Sequence, residues 1–177
     1  EALNLTLDID LQRKCDALLQ GEQGSIVVLD ADTGAVLALA SAPGYDPSVF
    51  VNRGATEERL ALLSGQKPNR MTHRAFREVY PPGSVFKIML AAAGLEENLI
   101  NAGTRFHCSG SYAIDGKGRR WNCWNRHGHG SLNVVESLAF SCDVFFYSLG
   151  RRLEVDRIVA YPKLMGLGGP SGIGIAR

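Results

Sequence analysis

Apolar and polar residues alternate at the start of the chain. From Leu3 to Leu7 every second residue is a leucine, which predicts a half-buried strand. Asp8 or Asp10 is placed to cap a helix, because apolar residues then recur at helical spacing as far as Leu19. Cys15 lies on the apolar side of this predicted helix, and we interpret it as a small buried core residue.

Two β-rich runs come next and predict an antiparallel hairpin. Residues 24–30 and 35–40 flank an Asp/Gly turn at residues 31–34. The second run is almost wholly apolar, so we expect it to be buried on both faces. After a proline-containing loop, residues 57–63 have a short helical pattern.

The second half of the chain is predicted to be helical, apart from a glycine-rich segment at residues 103–131. The tripeptide Pro81–Gly83 breaks the chain directly before the first helix, and Asn133 with Glu136 forms a capping pair for the second. Pro162 should kink the last helix. The predicted helices span residues 84–97, 134–140, 144–153 and 155–165.

The composition is that of an ordinary globular domain, or of part of one. Of the 177 residues 45% are hydrophobic and 21% are charged, and the net charge is only +1. The basic residues form no dense stripe, which argues against a nucleic-acid partner. No apolar stretch approaches the roughly 20 residues that a membrane-spanning helix needs.

The spacing Ser84-x-x-Lys87 at the start of a predicted helix is a candidate for nucleophilic chemistry. Residues three apart lie on one helix face, so the hydroxyl and the amine can come within hydrogen-bond reach. An amine in a partly desolvated site can accept the serine proton, and the unpaired N–H groups of a helix N-terminus can stabilise an oxyanion. The pattern is short, and a capping Ser84 with a solvated Lys87 is the alternative.

The residues around Ser84 make the pattern more specific. The stretch Tyr80–Lys87, Tyr-Pro-Pro-Gly-Ser-Val-Phe-Lys, resembles the active-site segment of class B penicillin-binding transpeptidases. His-Gly-His-Gly at residues 127–130, before Leu-Asn-Val at 132–134, is similar to the penicillin-binding protein 2 branch of that family. Further resemblances, which extend over nearly the whole chain, lie at residues 5–12, 28–38, 52–70 and 76–82.

This resemblance implies a fold and a catalytic set. The fold would be the α/β (α+β) fold of penicillin-binding proteins and β-lactamases, an antiparallel sheet with helices on both faces. Ser84 would be the acyl-accepting nucleophile and Lys87 its base. Ser-Cys-Asp at residues 141–143 matches the family's second motif, which implies that Ser141 relays the proton and that Asp143 positions the substrate or the lysine. An N-cap role for Asp143 is the alternative.

The third motif of the family, Lys-Thr-Gly or Lys-Ser-Gly, does not occur in the 177 residues. We therefore expect residues 1–177 to be the N-terminal part of a transpeptidase domain. The membrane anchor, the pedestal and the C-terminal part of the domain would be absent from this chain, and the fold would be incomplete.

A group of cysteine and histidine residues offers a second candidate site. Three thiolates and one imidazole are a ligand set of closed tetrahedral zinc sites. The candidate ligands are Cys108, Cys123, His129 and Cys142. The resemblance supports a structural zinc ion, because some members of the branch carry zinc beside the active site, and it favours His129 over His107 and His127. A Cys108–Cys123 disulfide and buried free thiols are the alternatives.

The function that the resemblance implies is that of a peptidoglycan D,D-transpeptidase, which crosslinks stem peptides through a serine acyl-enzyme during cell-wall elongation. β-Lactams would acylate the same serine. A membrane-bound glycan polymerase would be a partner, on the periplasmic side of the bacterial inner membrane. Two other functions remain open: a serine β-lactamase or β-lactam sensor, which shares Ser-x-x-Lys, and a catalytically inert, zinc-stapled binding module.

Overall fold

The structure is a computed structural model that describes residues 4–65, 67–113 and 118–173. The chain divides into two compact units, Glu1–Tyr80 with Ile173–Arg177, and Pro81–Gly172. The elements of the first unit are α1 (Ile9–Leu18), β1 (Gly24–Leu29), β2 (Val36–Ala42), α2 (Thr56–Leu63) and α3 (Arg74–Arg77). Those of the second are α4 (Phe86–Glu96), β3 (Phe106–Cys108), β4 (Ser111–Ala113), β5 (Arg120–Asn122), β6 (Gly130–Leu132), α5 (Val134–Ala139) and α6 (Asp143–Leu164).

Helix α1 begins where the sequence predicts, with Asp8 as its N-cap. The carboxylate of Asp8 accepts hydrogen bonds from two N–H groups of the first turn, each at 3.0 Å. The strand predicted from Leu3 to Leu7 is wrong in its described part, since residues 4–7 belong to no strand, and Leu3 lies outside the described residues. The Thr6 hydroxyl donates a hydrogen bond to the Val36 carbonyl at the edge of β2. A single side-chain hydrogen bond of this kind does not form a β-ladder.

The hairpin of β1 and β2 is confirmed, with antiparallel register from Gly24 opposite Ala42 to Leu29 opposite Val36. Side chains alternate between the two faces of a strand. Ala38 and Ala40 pack with Cys15 of α1 on one face, so the prediction of a core role for Cys15 is confirmed. On the other face the Ser41 hydroxyl accepts the N–H of Arg74 from α3, at 2.9 Å. The hairpin thus has a helix on each face.

Arg74 is the largest buried charged side chain among the described residues, with 1% of its surface exposed. Its guanidinium donates hydrogen bonds to the carbonyls of Pro43, Thr72 and Asn69 at 3.1–3.3 Å. The nearest carboxylate, that of Glu78, is 3.6 Å from Nε. Arg74 thus connects three separate points within residues 43–72 through their backbone carbonyl oxygens.

In the second unit α4 and α6 form the frame of the core. Phe145, Leu149 and Leu153 of α6 are almost fully buried, in a cluster that includes Ala91 and Ala93 of α4. A break divides α6 into halves that correspond to the two predicted helices at residues 144–153 and 155–165. Among the described residues, no helix combines the length and hydropathy that a membrane span requires.

The break in α6 lies at Glu154, where φ is 62° and ψ is 165°. The sequence predicts a kink at Pro162, whereas the non-helical dihedral angles within α6 are those of Glu154, and the helix continues through Pro162. Proline in a helix interior removes one N–H donor, and its ring crowds the carbonyl of the residue four positions earlier. Here the chain changes direction one residue before Val155, and Pro162 continues the helix that starts there.

Two small antiparallel pairs, β3 with β6 and β4 with β5, build the glycine-rich segment. Gly110 and Gly128 have φ values of 89° and 84°. A Cβ atom on Gly110 would overlap the Arg126 carbonyl, and one on Gly128 would overlap the Cys108 carbonyl. These two glycines therefore let the segments around residues 108–110 and 126–128 cross at close range, which brings the cysteines of this region together.

Candidate active site and metal centre

Ser84 lies in a short 3₁₀ turn, Gly83–Val85, that leads directly into α4. This placement at the N-terminal end of the helix is as predicted. Ser84 is exposed, so its hydroxyl can reach an incoming carbonyl group. Lys87 follows in the first turn of α4 and keeps only 11% of its side-chain surface exposed.

Ser84 and Lys87 are joined through the hydroxyl of Ser141. The Lys87 ammonium donates to Ser141 Oγ at 3.0 Å, and Ser141 Oγ donates to Ser84 Oγ, also at 3.0 Å. The sequence pattern predicted a direct approach of Ser84 and Lys87. The structure instead places a third group between them, and because a hydroxyl both donates and accepts, it can pass a proton in either direction.

Three acceptors surround the Lys87 amine. These are Ser141 Oγ, the Ser141 carbonyl at 2.9 Å and Asp143 Oδ1 at 2.6 Å. They match the three N–H donors of an ammonium group. The Phe146 ring, 5.9 Å from Nζ to its centroid, adds a cation–π contact from the buried side. Lys87 is therefore held in one position by groups that α6 and the turn before it supply.

Ser141 occupies a backbone conformation that few non-glycine residues adopt, with φ of 49°. It follows α5, and the N–H groups of Ser141 and Cys142 donate to the carbonyls of Leu138 and Ser137. This is the Schellman pattern of a helix C-terminus, in which the left-handed position is usually glycine. Serine at this position directs both its carbonyl and its hydroxyl towards Lys87. Glycine would offer only the carbonyl.

Asp143 is the first residue of α6, and Cys142 is the N-cap. The N-cap role considered for Asp143 is therefore wrong, because its carboxylate lies elsewhere. One oxygen forms the ion pair with Lys87, and the other accepts the backbone N–H of Trp124 at 3.1 Å. Asp143 thus fixes the lysine and also connects it to the loop after β5.

The structure brings the four predicted metal ligands together. Cys108 ends β3, Cys123 follows β5, His129 precedes β6 and Cys142 caps α6. Their ligand atoms all lie within 4.8 Å of one another, and the three sulfur atoms belong to buried residues. His107 and His127 are exposed. All four cysteines of the chain are free thiols in the structure.

The geometry fits a tetrahedral ion. His129 Nδ1 lies 3.6 Å from the sulfur atoms of both Cys108 and Cys123. Metal–ligand bonds of about 2.3 Å to sulfur and about 2.05 Å to nitrogen, at a tetrahedral angle, place the two ligand atoms about 3.6 Å apart. The donor set and these two distances are therefore compatible with a tetrahedral Cys₃His metal site.

The thiols of this cluster have opposite tendencies to ionise. Burial raises the pKa of the Cys142 thiol to about 12, and the neighbouring thiols Cys108 and Cys123 add to the rise. Burial also opposes ionisation of Cys108, but the N–H groups of Gly110 and His129 and the adjacent thiols bring its pKa below the ordinary value. Cys142 would keep its proton at neutral pH unless a cation binds, since metal ligation requires thiolates.

Two features of the site were not predicted from the sequence. Trp124 contributes its backbone N–H to Asp143, and no side-chain pattern signals a backbone donor. The left-handed conformation of Ser141 was also missed. The two predicted helix starts, at Asn133 and at Val144, indicate a short turn between α5 and α6, and left-handed residues are common at helix C-termini, but no residue type in the turn singles out Ser141.

Comparison with known proteins matches the chain to one family. The family model of the penicillin binding protein transpeptidase domain matches residues 24–177. The peptidoglycan D,D-transpeptidase MrdA of Escherichia coli (strain K12) is 38% identical over 173 residues, which is 97% of this chain and 27% of the relative. The chain therefore spans about a quarter of the length of that curated relative.

Solved structures agree with this result. Penicillin-binding protein 2 of Pseudomonas aeruginosa in complex with WCK 5153 superposes with a TM-score of 0.85 and 33% identity, over 94% of this chain and 36% of that chain. A chain from a peptidoglycan synthase complex that coordinates polymerization and crosslinking has a TM-score of 0.85 and 33% identity, over 98% of this chain and 33% of that chain. The predicted fold class is thereby confirmed.

Proposed function

Because the chain belongs to the penicillin-binding protein transpeptidase family, in its penicillin-binding protein 2 branch, we propose that it carries the nucleophile of a serine-type peptidoglycan D,D-transpeptidase. The observation that supports this most directly is the unbroken hydrogen-bonded series from Ser84 through Ser141 to Lys87 and Asp143. We further propose that residues 1–177 form the N-terminal part of the transpeptidase domain.

In the first half of the reaction Ser84 Oγ attacks the D-alanyl-D-alanine carbonyl of a donor stem peptide. The serine proton passes through the Ser141 hydroxyl to the amine of Lys87, which must be neutral to accept it. The N-terminus of α4 directs its positive dipole end towards the developing oxyanion. The peptide C–N bond then breaks, and the leaving D-alanine takes up the proton by the reverse route.

In the second half an amine of a neighbouring stem peptide attacks the Ser84 ester. Its proton follows the same route to Lys87 and returns to Ser84 when the ester C–O bond breaks. Asp143 holds the Lys87 amine beside Ser141 throughout, as a hydrogen-bond acceptor while the amine is neutral and as an ion-pair partner once it is protonated, in a contact largely shielded from solvent. A β-lactam would open on Ser84 in the same way, and its acyl group would stay on the enzyme.

Acylation by a fluorescent penicillin tests this function. In the full-length protein we expect one adduct per molecule, on the peptide that contains Ser84, detected by mass spectrometry, and loss of labelling in Ser84→Ala. Ser64→Ala is a matched control, because Ser64 is an exposed serine at the end of α2. Labelling of Ser84→Ala at the wild-type level, or rapid release of the acyl group as in a β-lactamase, would contradict the proposal.

We also propose that Cys108, Cys123, His129 and Cys142 hold a structural zinc ion. Four protein ligands leave no open position for substrate, so the ion would fix the segments that carry Trp124 and Asp143. We expect one zinc per molecule, lost in Cys123→Ser and retained in Cys15→Ser, because Cys15 lies in the separate core of the first unit. Cobalt substitution should give thiolate charge-transfer bands. An intact Cys108–Cys123 disulfide in a non-reducing digest would refute the zinc site.

The proposed setting of this reaction is the periplasmic side of the bacterial inner membrane, with peptidoglycan stem peptides as substrates and a glycan polymerase as partner. The solved synthase complex that this chain resembles unites polymerization and crosslinking, and that likeness supports the partner. Purification of the full-length protein from membranes should recover the polymerase with it. Recovery in the cytoplasmic fraction without a polymerase would count against this setting.

A further inference from the structure

Two segments of the second unit run side by side between the cysteine cluster and Lys87. The first is Cys123 with Trp124, and the second is Cys142 with Asp143. The two cysteines meet in the cluster, and the two residues that follow them are joined by the hydrogen bond from the Trp124 N–H to Asp143 Oδ2. The cysteine cluster is therefore connected to Lys87 through Trp124 and Asp143, the residues that follow the two cysteines.

The side chain of Trp124 forms a second hydrogen bond to the part of the chain that carries Cys142 and Asp143. Its indole Nε1–H donates to the carbonyl of Phe140 at 2.9 Å, directly before the left-handed Ser141. The ring also lies edge-on to His129, with 5.2 Å between centroids. Trp124 thus contacts the turn that carries the relay hydroxyl, the carboxylate that holds Lys87 and one ligand of the cluster.

The hydrogen bonds of Trp124 indicate what the residue does. Both of its N–H donors are used on groups next to the reacting atoms, the backbone N–H on Asp143 and the indole N–H on the Phe140 carbonyl. A tryptophan whose two donors are both engaged at one turn contributes to the position of that turn.

We propose that Trp124 is a positioning residue for acyl transfer. It acts through Phe140 and Asp143, and so aligns the Ser141 hydroxyl and the Lys87 amine with Ser84. This role rests on the proposed function. It predicts that removal of the indole N–H alone slows the acylation step, while initial binding of the β-lactam and occupancy of the cluster are unchanged.

The experiment replaces the indole nitrogen without changing the shape of the ring. In the full-length protein, Trp124 is exchanged for β-(3-benzothienyl)alanine, which has sulfur in place of N–H, and for 7-azatryptophan, which keeps the N–H. The matched control is the same benzothienyl exchange at Trp121, a neighbouring tryptophan that is 40% exposed and packs on Tyr147 and Arg119. Stopped-flow acylation by a fluorescent penicillin gives the saturating acylation rate constant and the binding constant separately.

We expect the benzothienyl variant at position 124 to lower the saturating rate constant about two- to fivefold, the effect of one lost neutral hydrogen bond in a partly exposed setting. The binding constant and metal content should stay at wild-type values, the unfolding temperature should fall only slightly, as the loss of one hydrogen bond requires, and 7-azatryptophan should restore the rate. An unchanged rate constant in an active protein, or an equal loss at position 121, would overturn the role of Trp124 alone. Absence of acylation in the wild-type protein would instead overturn the proposed function, and this role with it.

Discussion

The left-handed backbone at Ser141 leads to a prediction that separates the hydroxyl from the turn that presents it. Ser141→Ala and Ser141→Gly both remove the hydroxyl, but only glycine adopts φ of 49° without strain. A residue with a Cβ atom in the left-handed region costs about 1–2 kcal/mol, and the greater chain entropy of glycine cancels about 0.5–1 kcal/mol of this. We therefore expect Ser141→Gly to be about 0.5–1 kcal/mol more stable than Ser141→Ala.

Both variants should lose acylation to a similar extent. The hydroxyl supplies the connection between Ser84 and Lys87, and proton transfer by a positioned group contributes about 10²–10⁴-fold to rate. Calorimetric unfolding of the full-length protein measures the stability difference, and labelling by fluorescent penicillin measures the rate. The reasoning about the turn fails if the alanine variant is the more stable of the two. The proposed proton relay through Ser141 would be refuted if either variant were acylated at a rate within a few-fold of that of the wild-type protein.

Three further substitutions test other contacts. Asp143→Asn removes the charge that holds Lys87, so acylation should fall tenfold or more and stability by about 1–3 kcal/mol; wild-type kinetics would show that the ion pair is dispensable. Arg74→Ala leaves three carbonyl groups without their donor and should destabilise the protein by about 2–4 kcal/mol in denaturant unfolding, whereas exposed Arg70→Ala should cost less than about 1 kcal/mol. Glu154→Gly should stabilise by about 1 kcal/mol in a thermal melt, because its φ and ψ suit glycine; a loss of similar size would mean that position 154 is ordinary helix.

Local signals in the sequence were sufficient for the elements whose ends are fixed by neighbouring residues. Asp8 caps α1, and the capping box of Asn133 and Glu136 starts α5 where it was predicted. The hairpin follows from β-rich runs around a turn in which the Asp30 carboxylate accepts nearby N–H groups. Each of these depends on contacts only two to four residues apart, which a single sequence reveals.

The errors arose where a longer-range contact decides the outcome. The leucines of residues 4–7 alternate as in a strand, yet Leu5 is 65% exposed and the segment makes only isolated bonds to the edge of β2. Pro162 was expected to kink α6, but the break was placed by the dihedral angles of Glu154. The burial of Arg74 depends on three carbonyls distributed over residues 43–72, and no periodic pattern encodes it.

The candidate catalytic residues and the relay role of Ser141 could be predicted from spacing and resemblance, but the hydrogen bonds that place Ser141 between Ser84 and Lys87 could not. Ser84-x-x-Lys87 indicates a nucleophile and an amine on one face, which leads to the expectation of direct contact. The structure shows that Ser141 lies between them, because the turn after α5 is left-handed and points its hydroxyl at both. This arrangement depends on the sign of one φ angle, which residue types alone do not determine for serine.

The order Ser-Cys-Asp at residues 141–143 is explained by that same turn. The first residue ends α5 in the left-handed position and presents two oxygen atoms to Lys87. The second is the extended N-cap of α6, so its side chain lies on the opposite side and enters the buried cluster. The third begins α6 and returns to Lys87, and it also binds the Trp124 N–H. Ser141 and Asp143 thus contact Lys87, whereas Cys142 between them belongs to the cysteine cluster. A metal ion bound by Cys142 would consequently constrain the residues on both sides of it, which is why loss of the cluster should weaken acylation although no ligand touches the substrate.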